Sequence, residues 1–292
     1  MEKRMSLFAV AGVSGNTGAA VAEALLSIGH GVRVIVRDAA KGASWAMRGA
    51  EVAVADLTDA PALIQALRGA DGAFVLSPSR YDIPNPIEAA SDLGHVLAAA
   101  SKAAKLPLTV VLSSIAAQHT AGTGMIKTNN RVEAAFKAAG ANATFLRAPY
   151  FLENLLPVLS VIQEQGLLPS LIDPDQRMDM IPVRDIGASV ADLLTGMAAP
   201  APVVELHSVK PVTMREVGAA FADRLGKPVH VLALPVAGWA DAVAEWGMHP
   251  AIQAEFVEMY KAIADGIVDW DGHQALYGRT TLADWAGLIL DR

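Results

Sequence analysis

The sequence predicts an α/β protein built on a doubly wound parallel sheet, with a smaller, mostly helical C-terminal lobe interleaved with it. Three observations support this fold class. Short apolar runs alternate with longer amphipathic stretches over the first half of the chain. The runs are continuously apolar, as in strands that are buried on both faces. A glycine-rich turn joins the first apolar run to the first helical stretch.

Composition excludes several classes of function. The chain has 292 residues, no cysteine and a formal net charge of −7. The absence of cysteine rules out disulfides, thiolate catalysis and zinc–cysteine sites. The acidic balance gives no indication of nucleic-acid binding, and no group of histidines and carboxylates has metal-ligand spacing. We therefore expect no metal. No apolar run is long enough to span a bilayer, so we also expect a cytoplasmic protein with no membrane partner.

The most informative motif follows the apolar run of residues 7–11. Glycines recur there at 12, 15 and 18, and a helical pattern follows over residues 19–28. Such a turn lets the backbone approach a pyrophosphate, which the helix N-terminus then stabilises. The alternative is an ordinary strand–turn–helix with no ligand. The residues predicted to hold a dinucleotide here are Gly12, Ser14, Gly15, Asn16, Thr17 and Gly18.

The end of the second apolar run, residues 32–36, indicates which dinucleotide binds. NAD binding usually requires an acidic residue at this point, but the chain has Arg37, with Lys41 close behind. A guanidinium suits a 2′-phosphate because it is always charged and binds in a bidentate manner. We therefore predict NADP(H). Two alternatives stay open: a shifted strand end that makes Asp38 the ribose acceptor, or a solvated Arg37–Lys41 loop pair.

Further apolar runs lie at residues 52–55, 73–76, 109–112, 144–146 and 203–207, with helical patterns near 59–69, 87–104 and 127–139. Regularity weakens after Pro149, and the chain from Lys210 onward is mostly helical in pattern. We expect residues 1–150 to form the nucleotide-binding domain, to which residues 181–208 return. Residues 151–180 and 209–292 are then the substrate-binding lobe.

These motifs together resemble the NmrA-like proteins, an atypical branch of the extended short-chain dehydrogenase/reductases. The segments that carry the resemblance are 12–18, 36–38, 55–57, 111–114, 144–147, 151–154 and 278–282, with Lys127 and Glu133. The resemblance implies a Rossmann-type domain that binds NADP(H). Some members reduce quinones, azo or triphenylmethane dyes or aromatic ethers, and others bind the dinucleotide only to sense redox state.

The resemblance also implies positions for individual residues. Asp56, with its neighbour Leu57, matches the residue near the adenine, and Leu76–Ser77 matches the loop on the adenosine side. Ser113 matches the strand-end residue beside the nicotinamide ribose, and Lys127 the lysine near the nicotinamide. The segment expected to close over the nicotinamide and substrate contains Tyr150, Phe151 and Asn154.

One departure bears on the chemistry. Short-chain dehydrogenases use Tyr-x-x-x-Lys, whereas this chain has Thr123 four residues before Lys127. A threonine hydroxyl does not ionise near neutral pH, so this position lacks the acid of the usual alcohol–ketone chemistry. Three catalytic candidates remain, each with a structural alternative. Lys127 would place cofactor and stabilise an oxyanion, or lie on a helix surface. Ser113 would bind ribose or substrate, or be a strand-end hydroxyl bound to backbone. His119 would transfer protons, or be a solvated loop residue.

An apolar set in the C-terminal segment either lines a substrate cavity for a flat aromatic ligand or forms core. Its members are Trp239, Trp246, Met248, Phe256, Met259 and Tyr260, and Glu258 beside them is expected to be solvated.

The predicted function is an NADPH-dependent oxidoreductase of small conjugated acceptors such as quinone-like, azo or other aromatic compounds. The alternative is a non-catalytic NADP(H)-sensing regulator that acts through a protein partner. A third option is an isomerase or epimerase, which the missing tyrosine disfavours.

Overall fold

The computed structural model describes residues 5–291. The strands in this range are β1 (Leu7–Ala11), β2 (Gly31–Val36), β3 (Glu51–Val54), β4 (Gly72–Val75), β5 (Thr109–Ser114), β6 (Ala143–Ala148), β7 (Tyr150–Phe151), β8 (Leu167–Ser170), β9 (Met180–Ile181), β10 (Val203–His207), β11 (His230–Ala233) and β12 (Gln274–Tyr277). The α-helices are α1 (Asn16–Ser27), α2 (Ala43–Met47), α3 (Ala60–Leu67), α4 (Pro86–Ala103), α5 (Lys127–Ala139), α6 (Leu159–Gln165), α7 (Val183–Thr195), α8 (Met214–Leu225), α9 (Trp239–Ala244), α10 (Pro250–Ala264) and α11 (Leu282–Leu290).

Eight strands form the central sheet in the order β12-β10-β6-β5-β4-β1-β2-β3. Every pair in it is parallel. Helices α1 and α7 cover one face and α3, α4 and α5 the other, so alternate residues of β1 enter different cores: Val10 faces α1, and Ala9 faces α3 and α4. Burial on both faces is why these strands are continuously apolar. The predicted doubly wound parallel sheet is confirmed.

The strand order reverses beside β1, whose neighbours are β4 on one side and β2 on the other. In open α/β sheets, ligands bind outside the carboxyl ends of the strands at such a reversal. The glycine-rich turn between β1 and α1 lies at this point. The fold therefore places the predicted dinucleotide loop where a ligand crevice forms.

The remaining elements pack around a separate hydrophobic core. It is centred on Leu152, Phe221 and Trp285, and two short parallel pairs, β7–β9 and β8–β11, border it. Strand β12 lies within the segment that the sequence analysis assigned to the lobe, yet it pairs with β10 in the central sheet. Only Leu276 of its four residues is half-buried and the others are exposed, so no apolar run marked it as a strand.

The C-terminal segment is also fastened to the nucleotide-binding half through Asp185 on α7. Its buried carboxylate accepts hydrogen bonds from the amides of Arg279 and Thr280 and from the Thr280 hydroxyl. The segment after residue 208 thus leaves the central sheet after β10 and returns to it through β12 and through the contacts of residues 279–280 with Asp185. Over residues 5–291, no helix is both long and apolar enough to cross a membrane.

Candidate functional site

The three glycines of the glycine-rich turn differ in what a side chain at each position would contact. Gly12 has φ +75°, and a Cβ there would lie 2.9 Å from Leu76 Cδ2. A Cβ on Gly18 would lie 2.3 Å from the carbonyl carbon of Gly12, so α1 contacts the turn only because this side chain is absent. At Gly15 the nearest atom is 3.6 Å away, an ordinary contact. Packing therefore requires glycine at 12 and 18, whereas Gly15 leaves an open face.

The N-terminus of α1 is available to a ligand. The helix begins at Asn16, no side chain caps its first turn, and no acidic residue lies in that turn. Ser14, Gly15 and Asn16 are exposed and Thr17 is half-buried. Free N–H groups and the positive end of the helix dipole favour an anion here. This uncapped end beside an open glycine fits a pyrophosphate.

The residues beyond β2 form a cationic surface next to this turn. Arg37 and Lys41 are exposed, and no ion pair binds either of them within the part of the chain that the structure describes. The Asp38 carboxylate accepts the Ala40 amide at 2.9 Å as the cap of a short 3₁₀ helix. Hydrogen bonds from the Thr58 amide and hydroxyl, together with Arg37, hold the pKa of Asp56 below its ordinary value. Two free cations and one ionised carboxylate thus surround the point where β2 and β3 end.

Lys127, at the start of α5, is bound by the C-terminal lobe. Its Nζ lies 2.8 Å from Glu255 Oε2 and 2.9 Å from Glu258 Oε2, both on α10. Burial alone would lower the pKa of Lys127, but the two carboxylates outweigh it and the pKa lies above its ordinary value. Glu258, expected to be solvated, is instead a partner of this lysine. The ammonium therefore links the nucleotide-binding half to α10.

Helix α10 lies directly on the segment before Lys127. Gly124 has φ +54°, and a Cβ there would lie 1.9 Å from the Glu255 carbonyl oxygen and 2.6 Å from the Met259 nitrogen. Thr123, which stands where short-chain dehydrogenases have tyrosine, is fully buried. Its hydroxyl has no hydrogen-bond partner among residues 5–291. The position of the usual phenol is therefore sealed beneath α10.

Ser113 is engaged on the α5 side of the sheet. Its hydroxyl donates to Glu133 Oε1 at 2.7 Å, and Arg147 binds both oxygens of the same carboxylate at 2.9 and 3.0 Å. Burial alone would raise the pKa of Glu133, but the hydrogen bonds from Arg147 and Ser113 outweigh it, so its pKa is lowered. The structure thus gives Ser113 a carboxylate partner, where the sequence analysis considered ribose, substrate or backbone.

His119 lies in the loop between β5 and α5. It is half-buried, and its amide donates to the Ala116 carbonyl. Asn130 fixes the same loop by donating to the Ala117 carbonyl at 2.9 Å. Within residues 5–291, no hydrogen bond or ion pair holds the imidazole. Hydrogen bonds to the loop backbone therefore fix this loop, and the His119 ring takes no part in them.

Three tyrosines lie close together at α10, and we call Tyr81, Tyr150 and Tyr260, the last of which belongs to α10 itself, the tyrosine cluster. Tyr150 shares side-chain hydrogen bonds with Asn154 and with Tyr260. Burial, followed by the influence of Tyr260, raises the pKa of Tyr150 well above its ordinary value. Burial raises the pKa of Tyr260 to about 12. Both phenols therefore stay protonated at physiological pH, so they are hydrogen-bond donors.

Helix α10 spans the carboxyl ends of the strands on this side. Near its start, the His249 amide donates to the Tyr81 carbonyl at 3.1 Å, and Phe256 packs edge-on against Tyr81 at 5.5 Å between ring centroids. Farther along, it contacts Gly124 and Lys127. It therefore forms a roof from the loop after β4 to the loop after β5.

Other predicted residues line the same region in different ways. Leu76 packs under Gly12, Ser77 is half-buried just beyond β4, and Leu57 packs on the α3 side of the sheet. Phe151 packs against the core on the α1 side.

The sequence analysis named Glu133 only in the family resemblance, not as a partner of Ser113, and it did not single out Glu255. Glu258 is 131 residues from Lys127, and no local pattern links such positions. One sequence feature could have identified Glu255 as a partner residue: its carboxylate lies within an apolar face of a helix.

Comparisons with known proteins agree with this architecture. The model of the NmrA-like family matches residues 4–275. The NAD(P)H azoreductase of Xenophilus azovorans is 25% identical over 251 residues, 86% of this chain and 85% of that protein. Quinone oxidoreductase 2 of Escherichia coli is 25% identical over 244 residues, 83% and 82% of the two chains. The triphenylmethane reductase of Citrobacter sp. superposes with a TM-score of 0.82 at 18% identity, covering 99% of this chain and 100% of the other.

Proposed function

Because the chain belongs to the NmrA-like family, we propose that it is an NADPH-dependent reductase of small conjugated acceptors, such as quinone-like, azo or other aromatic compounds. The observation that carries the proposal is the uncapped α1 N-terminus beside the open face of Gly15, next to two free cations. The azoreductase, the quinone oxidoreductase and the dye reductase among its relatives support the substrate class.

The residues present fit the dinucleotide. The amides of Ser14 to Thr17 would hold the pyrophosphate, and Arg37 with Lys41 would hold the 2′-phosphate. Asp56 would lie beside the adenine, with Leu76 and Ser77 along the adenosine. A structure of a similar NADPH-dependent quinone oxidoreductase contains NADPH, and one of triphenylmethane reductase contains NADP(H). Both likenesses support the same ligand here.

The bound nicotinamide supplies a hydride, and the protein supplies placement and electrostatics. The roof formed by α10 would exclude water from the carboxyl ends of β4 and β5. Lys127 would hold this roof in place through its two glutamates, and its positive charge lies at the N-terminus of α5. Conjugated acceptors take up hydride readily, so the sealed Thr123 hydroxyl is no obstacle to this chemistry.

The test is consumption of NADPH by purified protein with a panel of quinones, azo dyes and aromatic ketones, followed at the nicotinamide absorbance. Saturable turnover that depends on the acceptor supports the proposal. Tight NADPH binding with no turnover of any acceptor contradicts it. NADH in place of NADPH is the matched control for the cofactor.

A redox-sensing regulator is the second candidate, and one observation favours it. Lys127 is paired with two glutamates of α10, and Tyr150 is hydrogen-bonded to Tyr260 of the same helix. Side chains of the lobe thus occupy groups that a substrate would otherwise contact. A sensor would present a different surface with NADP⁺ and with NADPH. Capture of a protein partner by one redox form only, with no acceptor turned over, supports this candidate against the first.

A further inference from the structure

Helices α1 and α7 pack side by side on one face of the central sheet and run in the same direction. Both lead from the carboxyl ends of the strands back to the amino ends, α1 between β1 and β2 and α7 into β10. They touch at Gly187, where a Cβ would lie 2.5 Å from the Ala20 carbonyl oxygen. Ala20 and Gly187 are each the fifth residue of their helix, so the first turns of α1 and α7 lie side by side.

Arg184 belongs to this first turn of α7, three residues before Gly187. Residues three apart are neighbours on one side of a helix, so Arg184 lies on the flank of α7 nearest α1. Helix side chains point toward the N-terminus of their own helix, which for α7 is the carboxyl edge of the sheet. Arg184 is therefore directed toward the edge that holds the glycine-rich turn and the uncapped end of α1.

The charge of Arg184 is exposed and unpaired. Among residues 5–291, no ion pair or hydrogen bond holds its guanidinium. The two carboxylates beside this turn are bound to other groups: Asp185 accepts from the amides of residues 279–280, and Glu153 accepts the Val183 amide at 2.9 Å. Helix dipoles disfavour a cation near their N-termini, and two such ends meet here. An anion at this place would stabilise both helix ends and the arginine together.

We propose that Arg184 binds the pyrophosphate of the dinucleotide from the α7 side. The inference rests on the proposed function and adds to it a cofactor-binding residue that lies outside the glycine-rich turn. The amides of residues 14–17 would bind the pyrophosphate from α1, and the guanidinium would neutralise its charge from the neighbouring helix. Arg37 would contact only the 2′-phosphate. The two arginines thus have different ligands: one binds the phosphate that NADPH alone carries, and the other binds the group that NADPH and NADH share.

This division of the cofactor provides the test. Arg184→Met keeps a long unbranched side chain and removes its charge. Titration against nicotinamide fluorescence gives the dissociation constants of NADPH and NADH. Calorimetry gives that of adenosine 2′-monophosphate, which has the adenine and the 2′-phosphate but no pyrophosphate. Arg68→Met is the matched control, because Arg68 is exposed at the end of α3, on the other face of the sheet.

We expect NADPH and NADH to bind about 10-fold more weakly to Arg184→Met, as for the loss of one charge-assisted hydrogen bond to phosphate. Affinity for adenosine 2′-monophosphate should stay within about twofold of wild type, because this ligand lacks the group that Arg184 would bind. Arg184→Lys should lose only about threefold, since it keeps the charge without the planar fork. The thermal midpoint without ligand should change by less than about 2 °C in each variant, and Arg68→Met should bind all three ligands normally.

Unchanged NADPH and NADH affinities in Arg184→Met would overturn the inference and leave the proposed function standing. Equal losses for all three ligands would show a structural or long-range charge effect and would also overturn it. A loss for NADPH alone would assign Arg184 to the 2′-phosphate, against the inference. If the wild-type protein binds neither dinucleotide, the proposed function fails and the inference fails with it.

Discussion

Lys127 and Glu258 are joined by a 2.9 Å hydrogen bond across 131 positions of the chain. The lysine begins α5 in the nucleotide-binding half, and the glutamate lies on α10 in the C-terminal lobe. With Glu255 on the same ammonium, the contact fastens α10 next to the point where its backbone packs against Gly124.

Replacing Lys127 with Met should loosen this roof. The ion pairs are partly exposed, so the loss of unfolding free energy is modest, about 1 kcal/mol. Local opening should change more, and we expect faster amide hydrogen exchange across residues 250–264. Lys261→Met, which breaks an exposed pair with Asp265 on the same helix, is the control and should leave exchange nearly unchanged. Equal exchange in the two variants would contradict the role given to Lys127.

Replacing Arg37 with Ala should weaken NADPH binding by about 10- to 100-fold, the value of a charge-assisted hydrogen bond to phosphate. NADH binding should change by less than about threefold, since NADH lacks the 2′-phosphate. Titration of both cofactors against nicotinamide fluorescence measures the two constants. Arg48→Ala serves as the matched control, because Arg48 is exposed and pairs with Glu23 on α1. Equal losses for NADPH and NADH would remove the argument for NADP(H).

The three glycines of the turn should respond differently to a methyl group. Gly15→Ala should retain the thermal stability of the wild type within about 2 °C, because the new Cβ has room, yet lose most dinucleotide affinity. Gly18→Ala should lose stability even without cofactor, because its Cβ meets the Gly12 carbonyl. Calorimetry and cofactor titration of the two variants distinguish the effects. A stable Gly15→Ala protein that binds NADPH normally would show that the pyrophosphate lies elsewhere.

Removal of one charge should cost more unfolding free energy at the buried pair of Glu133 and Arg147 than at an exposed ion pair. Glu133→Gln removes the close carboxylate partner of the buried Arg147 guanidinium and leaves it only the more distant Asp271 carboxylate, at 3.5 Å, which costs about 3 kcal/mol of unfolding free energy. The folded-state pKa of Glu133 is lowered, so its contribution is complete above its unfolded pKa and is lost as the pH falls through the folded value. Denaturant unfolding below about pH 4.5 should therefore be less steeply pH-dependent in the variant.

Glu51→Gln breaks an exposed pair with Arg33 and is the comparison, with an expected loss under about 1 kcal/mol. Indistinguishable losses for Glu133→Gln and Glu51→Gln at neutral pH would show that the buried pair contributes no more than a surface one.

The nucleotide-binding half was predictable from sequence because its signals are local. Continuous apolar strands, helix periodicity and glycine spacing each lie within a few residues, and the family resemblance adds to them. The lobe was less predictable, since β12 has only one half-buried side chain and β8 and β11 are four residues each. The partners of Lys127 and Ser113 lie on other elements, so their pairing depends on packing that no local pattern records. Tyr260 was recognised only as one of an apolar set.

Strand β12 has a consequence for how the chain completes its fold. Until Gln274–Tyr277 are in place, the outer edge of β10 presents unpaired backbone donors and acceptors to any other strand in solution. During synthesis these residues emerge only after β10 and the helices α8, α9 and α10. A chain shortened before residue 274 would therefore expose an adhesive sheet edge, and self-association would be its characteristic failure, even with every proposed cofactor-binding residue intact.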